Sequence, residues 1–381
     1  MPASRRAVAI TLAPRSWPSN PTLATNTLMG LLIENTCIAK IHCFGNRIVN
    51  YSMRYRKFGN TDLLVSEIGF GAWAIGGGAM IGTTSIGWGD ADDNESVKAI
   101  HASLDAGINF FDTADIYGLG HSESLLGKTI GERKDVLIAT KVGNVSREEQ
   151  FTVDYAKEYI FQACENSLRR LKRNEIDYYQ LHTARLTHLQ QGDCIKAMKH
   201  LQQQGKIRYW GLSLNTFDPL PEADYLLNNN LGNGFQLVLN ILNQKALPLM
   251  TRSSEKGYGI IARMALQFGL LTGKFDNGVS FAGNDHRKNR LTKEVIETAN
   301  TALLPLWALC KKYSCSKTQL ALSYVMSYPG VSTVIPGIRT AEQVHLNTTG
   351  LFTLEPEDLL LIEKMGAADF VPVLDLIQRQ G

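Results

Sequence analysis

Several features are scarce in this 381-residue chain, and each scarcity removes a class of protein. Six cysteines in so long a sequence do not make a disulfide framework. Cys310 and Cys315 have no second pair and no histidine nearby at zinc spacing, so no metal site is expected. A reducing, cytoplasmic setting is the default for such a chain. An excess of one charge is also missing. The 39 Lys and Arg against 36 Asp and Glu leave a formal net charge of +3 without a basic cluster, and no nucleic-acid partner is expected. The most apolar stretch near the start, Leu28 to Ile33, is far too short to cross a bilayer, and no membrane association is expected. No G-x-G-x-x-G follows the first strand, which leaves a dinucleotide-binding open sheet poorly supported. The remaining composition, 44% hydrophobic and 20% charged, belongs to a folded globular protein and not to a disordered one.

Residues 1–52 read differently from the rest. They carry Arg5, Arg6, Arg15, Lys40 and Arg47 against the single acid Glu34, among many Ser, Thr, Asn and Pro. A disordered extension or an upstream start codon is the favoured reading, because Met53 directly precedes the first well-patterned strand. An organelle-import peptide is the minority alternative. Residues 53–381 form the folded unit.

From Arg54 on, strands and helices alternate. Arg54–Phe58 and Leu63–Ser66 flank a turn of Gly59-Asn60-Thr61-Asp62 and read as a β-hairpin. Ile68–Phe70 follows as a short strand, then a Gly-rich loop from Gly76 to Gly89. Asp93-Asn94-Glu95 is expected to cap a helix that Gly107 stops. Further apolar strands are expected at Ile108–Phe111, Val136–Ala139, Ile176–Leu181, Ile207–Leu212, Phe235–Leu239, Gly259–Ala262 and Val331–Ile335. Ala156, Ile160, Ala163, Leu168 and Leu171 mark one helix face. Ser316 with Gln319, and Thr340 with Gln343, look like capping boxes. Eight doubly apolar strands separated by helices imply a parallel sheet buried on both faces, closed as a (β/α)8 TIM barrel with an N-terminal β-hairpin and extra C-terminal helices. An open doubly wound sheet is the runner-up.

Barrel chemistry sits at the C-terminal strand ends. There the sequence places Asp112 and Tyr117 (second strand and its loop), Lys141 (third strand) and His182 (fourth strand). Each alone is an ordinary turn, surface or packing residue. Together they suit proton transfer by a tyrosine. A free phenol has a pKa of about 10 and is a poor acid at neutral pH. A neighbouring ammonium stabilises the phenolate, and a carboxylate holds the ammonium in place. An imidazole can donate to a carbonyl oxygen and orient the substrate. The set suits reduction of an aldehyde or ketone, in which the oxygen needs a proton. It holds no hydride, so a nicotinamide cofactor is required.

The segments NFFDTADIYG (Asn109–Gly118), HSESLLGK (His121–Lys128), ATK (Ala139–Lys141) and YYQLH (Tyr178–His182) resemble those of the aldo-keto reductases. The resemblance runs from about Met53 to about Gly366 and implies that Asp112, Tyr117, Lys141 and His182 are the catalytic tetrad. It implies further that Ser213, Asn215 and Gln236 bind the nicotinamide carboxamide. The family has Ser-Asn adjacent, whereas Leu214 intervenes here, so Asn215 is the weaker assignment. Leu266 and the loop Gly269, Leu271, Gly273 and Lys274 would lie over the pyrophosphate, although a Gly-bounded helical turn reads the same. Gly337, Arg339, Gln343 and Asn347 would hold the adenosine 2′-phosphate and adenine, which favours NADPH over NADH. Arg263 stands where many members stack an aromatic residue on the nicotinamide, and Ala265 replaces the Pro that usually follows. Trp88, Tyr117 and His182 are the candidate substrate contacts. The oligomeric state is not legible. Two rival readings stay open: an NADPH-binding partner resembling potassium-channel β subunits, and a Schiff-base lyase with Lys141 as nucleophile.

Overall fold

A computed structural model of the chain describes residues 53–275 and 279–380; the extension expected over residues 1–52 lies outside them. Eight strands form one parallel sheet: β1 (Phe70–Gly71), β2 (Phe110–Asp112), β3 (Leu137–Val142), β4 (Ile176–His182), β5 (Ile207–Ser213), β6 (Gly234–Val238), β7 (Gly259–Arg263) and β8 (Thr333–Ile335). Gly69 N donates to Val334 O at 2.8 Å and Gly71 N to Pro336 O at 3.0 Å, so the last strand returns to the first and the sheet closes. The fold is the (β/α)8 barrel. Every residue of β6 is buried, as are nearly all of β4 and β7. Inward side chains fill the barrel and outward ones meet the helices, hence the continuous apolar runs in sequence.

Helices α1 (Asp93–Asp105), α2 (His121–Ile130), α3 (Lys157–Leu171), α4 (Asp193–Gln203), α5 (Leu220–Asn229), α6 (Leu249–Glu255), α7 (Lys317–Met326) and α8 (Ala341–Thr348) surround the strands. Helices α9 (Pro356–Ala367) and α10 (Val371–Arg379) are the extra C-terminal pair. On α3, Ile160, Ala163, Leu168 and Leu171 are buried at helical spacing, and Ser316 with Gln319 forms the capping box of α7. Among the described residues no helix is long and apolar enough to cross a membrane.

Local differences from expectation have physical causes. The cap of α1 is Asp92, whose Oδ1 accepts from Asn94 N (2.7 Å) and Glu95 N (3.2 Å). A carboxylate must stand just before the first helical residue to reach those groups. At α8, Thr340 Oγ1 accepts from Gln343 N, but Gln343 Oε1 accepts from Arg339 N (2.7 Å), so only half a capping box forms. Two antiparallel ribbons were not expected: Met80–Ile81 with Thr84–Ser85, and Asn144–Arg147 with Gln150–Val153. The first is too short to carry a period. The second turns through Glu148 and Glu149 at φ 48° and 58°, a left-handed turn without the Asn or Gly that would advertise it.

The N-terminal hairpin pairs Tyr55–Lys57 with Leu64–Ser66 and plugs the mouth at the N-terminal strand ends. Phe58, Leu63 and Val65 form a core cluster with Phe110, Tyr178 and Ile261, and Phe58 meets the Tyr178 ring edge-on at 4.8 Å. Gly234 and Gly259 start their strands against Phe58; a Cβ on either would stand 2.7 or 2.5 Å from its ring. Glu67 fixes the hairpin by taking both Arg54 (2.6 Å) and Arg56 (2.7 Å). With this mouth closed, the opposite mouth is the open one.

Candidate active site

A cavity of about 800 Å³ opens at the C-terminal ends of the strands. Lys141, on β3, projects into the barrel and is fully buried. Its Nζ donates to Asp112 Oδ1 at 2.5 Å, to Thr113 O at 2.8 Å and to Tyr117 OH at 3.3 Å. Asp112 Oδ2 accepts from Gln180 Nε2 (3.0 Å) and Gln236 Nε2 (2.7 Å). The carboxylate is thus held from three strands besides its own. Burial alone would pull the Lys141 ammonium down, but the Asp112 carboxylate and the Tyr117 hydroxyl outweigh it, and its pKa lies above the ordinary value.

Tyr117 owes its position to two loops in close contact. Gly118 adopts φ 60°, and a Cβ there would stand 2.2 Å from Gly76 O, so glycine alone lets the loops meet. Trp73 lies parallel to the Tyr117 ring, with centroids 5.6 Å apart. His182 presents its ring edge-on to Tyr117 at 6.0 Å. Burial, reinforced by the positive Lys141 and Arg263, holds His182 well below the usual imidazole range, so it is neutral at pH 7. Its Nδ1 has no protein partner. The structure brings all four tetrad candidates together.

The cofactor candidates divide. Gln236, Arg263, Leu266, Gly269, Lys274, Gly337, Arg339, Gln343 and Asn347 line the cavity, as does Trp88. Gln236 spends its amide donor on Asp112, which leaves its Oε1 as the end able to accept. A Cβ on Gly337 would meet nothing within 4 Å, so the wall is open there. Arg339 NH1 donates to Trp88 O at 3.2 Å, and its NH2 donates to Asp90 O. Arg263 NH2 donates to Leu214 O (3.1 Å) and Thr216 Oγ1 (3.2 Å), and no carboxylate pairs with it among the described residues. The other four are not among the cavity-lining residues. Ser213 is buried in register between His182 and Gln236, and Leu271 is in the core. Asn215 Oδ1 accepts from Phe217 N and Asp218 N at 3.0 Å each and so caps a turn. Gly273 packs under Lys317. Where Ala265 stands for Pro, Asn240 holds the backbone by donating to Met264 O (3.0 Å) and Gln267 Oε1 (2.8 Å).

Sequence reasoning passed over Gln180, Trp73, Phe268 and His286. Gln180 was findable, since it shares the inward face of β4 with His182 two residues on. Trp73 stands just past β1 but has no titratable group to draw attention. Phe268 and His286 belong to the long irregular stretch after β7, which has no period to read. His286 nevertheless stacks on Trp73 at 4.5 Å and reaches the cavity.

The residues present suit a dinucleotide: a cavity of about 800 Å³, cations at Lys274 and Arg339 without carboxylate partners among the described residues, and an open glycine before α8. A sequence profile of the Aldo/keto reductase family matches residues 67–367. The aldo-keto reductase YhdN of Bacillus subtilis (strain 168) is 31% identical over 322 residues, covering 80% of this chain and 91% of that protein. The solved glycerol dehydrogenase AKR11B4 from Gluconobacter oxydans superposes with a TM-score of 0.70 at 28% identity, covering 84% of this chain and 96% of that one. The holo form of aldo-keto reductase AKR11C1 from Bacillus halodurans superposes with a TM-score of 0.65 at 28% identity, covering 82% and 96%. With barrel, rim residues and profile in agreement, the chain belongs to the aldo-keto reductase family of oxidoreductases acting on carbonyl groups.

Proposed function

We propose that the protein is an NADPH-dependent reductase of aldehydes or ketones, with Tyr117 as proton donor. The observation that carries this reading is the placement of Lys141 Nζ between Asp112 Oδ1 (2.5 Å) and Tyr117 OH (3.3 Å) at the open mouth. A carbonyl oxygen resting against Tyr117 accepts from its hydroxyl and from a His182 ring N–H. The bound nicotinamide supplies the hydride. As the oxygen gains charge, Tyr117 gives up its proton, and the Lys141 ammonium stabilises the phenolate left behind. Asp112 keeps that ammonium charged and aimed, and Gln180 and Gln236 hold Asp112.

Arg263, Leu266 and Gly269 are assigned to the nicotinamide and diphosphate side of the cavity, and Lys274, Gly337, Arg339, Gln343 and Asn347 to the phosphates and adenine. Arginine beside a helix N-terminus suits an added phosphate, which is the basis for NADPH over NADH. The contacts of Lys141 count against a Schiff base, because an amine kept protonated by Asp112 is not nucleophilic.

The test follows NADPH oxidation by absorbance with 4-nitrobenzaldehyde, for wild type and Tyr117→Phe, with NADH in parallel. Tyr117→Phe is expected to lower kcat by roughly 10³-fold or more while NADPH affinity stays within about threefold. A folded variant that no longer binds NADPH would overturn this division of roles. Wild type that binds NADPH but reduces nothing would favour the reading as a partner of another protein.

A further inference from the structure

Beyond the tetrad, the cavity wall carries an arrangement that the reaction itself does not use. Trp73, Trp88, Phe268 and His286 pack on one another: Trp73 on His286 at 4.5 Å, Trp88 on His286 at 4.8 Å, and Phe268 on His286 at 5.0 Å. All four line the cavity, and Trp73 also lies flat against Tyr117. The patch therefore begins at the proton donor and extends one ring further.

Two polar atoms in this patch have no protein partner. His286 Nδ1 lies 2.9 Å from Gly87 O. A carbonyl only accepts, so Nδ1 carries the proton and Nε2 is left as a bare acceptor. Burial pushes the His286 pKa down to about 4, so this tautomer is neutral and Nε2 stays unprotonated at pH 7. Nε2 is buried and unpartnered in a residue that is only 5% exposed. On the neighbouring ring, Trp88 Nε1 is an indole donor that is likewise buried and unpartnered. The ring itself is fixed: Trp88 O accepts from Arg339, and the Arg287 guanidinium stacks over it at 4.8 Å. A buried donor or acceptor left unsatisfied loses its water without gaining a partner, which disfavours the folded state. Native sites keep such atoms where a ligand answers them.

We propose that His286 Nε2 and Trp88 Nε1 form a hydroxyl-recognition subsite, and that the substrate class is a carbonyl compound with a hydroxyl several bonds from its carbonyl carbon. A hydroxyl is the simplest group that both donates and accepts. It can donate to His286 and accept from Trp88, on adjacent rings. The Trp73 and Phe268 rings supply an apolar wall for the intervening C–H groups. Trp73 contacts both Tyr117 (5.6 Å) and His286 (4.5 Å), which places the subsite one ring beyond the proton donor. This inference rests on the carbonyl-reductase reading of the same cavity.

The test compares 4-(hydroxymethyl)benzaldehyde with 4-ethylbenzaldehyde, which match in shape and differ by a hydroxyl in place of a methyl group. Wild type is expected to prefer the hydroxymethyl compound by roughly tenfold or more in kcat/KM, with most of the preference in KM. His286→Phe and Trp88→Phe keep a ring and remove the polar atom, and each should bring the ratio of the two substrates towards one. The ratio is the readout because it cancels any general loss shared by both substrates. Equal kcat/KM for both aldehydes in wild type would overturn the subsite. So would a preference that survives in both variants, which would leave the rings as packing only. Should His286→Phe fail to fold, Trp88→Phe and the wild-type ratio still decide. Reduction of neither aldehyde by folded wild type that binds NADPH would overturn the reductase reading, and the subsite with it.

Discussion

The two mouths of the barrel are built from the same strands but follow opposite rules. At the N-terminal mouth the charges of the hairpin have protein partners, although Tyr178 OH and Thr333 Oγ1 are buried without one among the described residues. Arg54 and Arg56 share Glu67, Arg56 also reaches Val331 O at 2.8 Å, and Phe58 fills the axis against glycine backbone. Among the described residues at the C-terminal mouth, Arg263 has no ion-pair partner, and His182 Nδ1, His286 Nε2, Trp88 Nε1 and Arg263 Nε are buried without partners. The Asp112–Lys141 centre is well paired there, as is Arg287 with Asp285 (2.6 Å), and Lys141 also reaches the Tyr117 hydroxyl. The N-terminal mouth is filled by the hairpin's own side chains, whereas the C-terminal mouth keeps its unpartnered groups around a cavity. Stability should therefore respond to one end and activity to the other.

The largest effect expected from this contrast lies at the plug. Phe58→Ala removes a fully buried ring that packs on Tyr178, Gly234 and Gly259, and should cost about 3–5 kcal/mol in urea denaturation. The fraction that stays folded should keep kcat within about threefold, because no tetrad residue touches Phe58. Tyr117→Phe is the mirror image: activity collapses, while stability changes by only about 1 kcal/mol, since Lys141 keeps Asp112 and Thr113 O. A folded Phe58→Ala enzyme with tenfold lower kcat would break the division between the two ends.

Acid should find the unfinished end next. His286 is held neutral by burial, with its pKa depressed to about 4 from the ordinary imidazole value of about 6.5. Between those values the unfolded chain binds a proton that the folded chain refuses, so the folded state loses ground as pH falls. The contribution is complete above about pH 6.5 and is lost progressively down through about pH 4. A depression of that size corresponds to about 3 kcal/mol. Denaturation midpoints measured from pH 7 to 4 should therefore fall less steeply for His286→Phe than for wild type. Parallel curves would mean that the ring is protonated in place and that the pocket is wetter than its contacts imply.

How much of this was legible in the sequence follows the same divide. The strands were readable because a parallel barrel buries both faces, so Ile176–Leu181 and Phe235–Leu239 stand out as unbroken apolar runs; the ends of these two moved by at most one residue, and the largest shift was three, at the end of β3. Asp112, Lys141 and His182 were readable as rim candidates because each follows such a run directly, whereas Tyr117 lies in the loop five residues after Asp112. The wall opposite was not. His286 is carried by irregular chain, and its importance comes from Trp73, more than two hundred residues earlier, which no local pattern links to it. Gln236 was expected against the cofactor, yet its donor end is spent on Asp112, a contact that depends on barrel closure. Left-handed Glu148 and Glu149 hid a ribbon because neither is a customary turn residue.

The smallest and most specific effect concerns Arg263. Its guanidinium is anchored to Leu214 O and Thr216 Oγ1, lines the cavity, and is close enough to Tyr117 and Asp112 for their charges to act on it. Burial holds its pKa below the ordinary value, and among the described residues no carboxylate forms an ion pair with it as Glu67 does with Arg56. A ring positioned to react beside Tyr117 is also beside this cation. Reduced nicotinamide is neutral there and oxidised nicotinamide is positive, so the cation should weaken NADP⁺ relative to NADPH. Two like charges a few ångströms apart repel by a few kcal/mol at an effective dielectric constant of about 20, and water entering the open mouth reduces this to about tenfold in affinity. Wild type should therefore bind NADPH at least about tenfold tighter than NADP⁺ in equilibrium fluorescence titrations. Arg263→Gln keeps hydrogen-bond donors but removes the charge, and should narrow the ratio to within about threefold. An unchanged ratio would place the guanidinium flat on the ring, where stacking offsets repulsion. Arg263 would then be as fully partnered as the arginines at the closed end, once cofactor is bound.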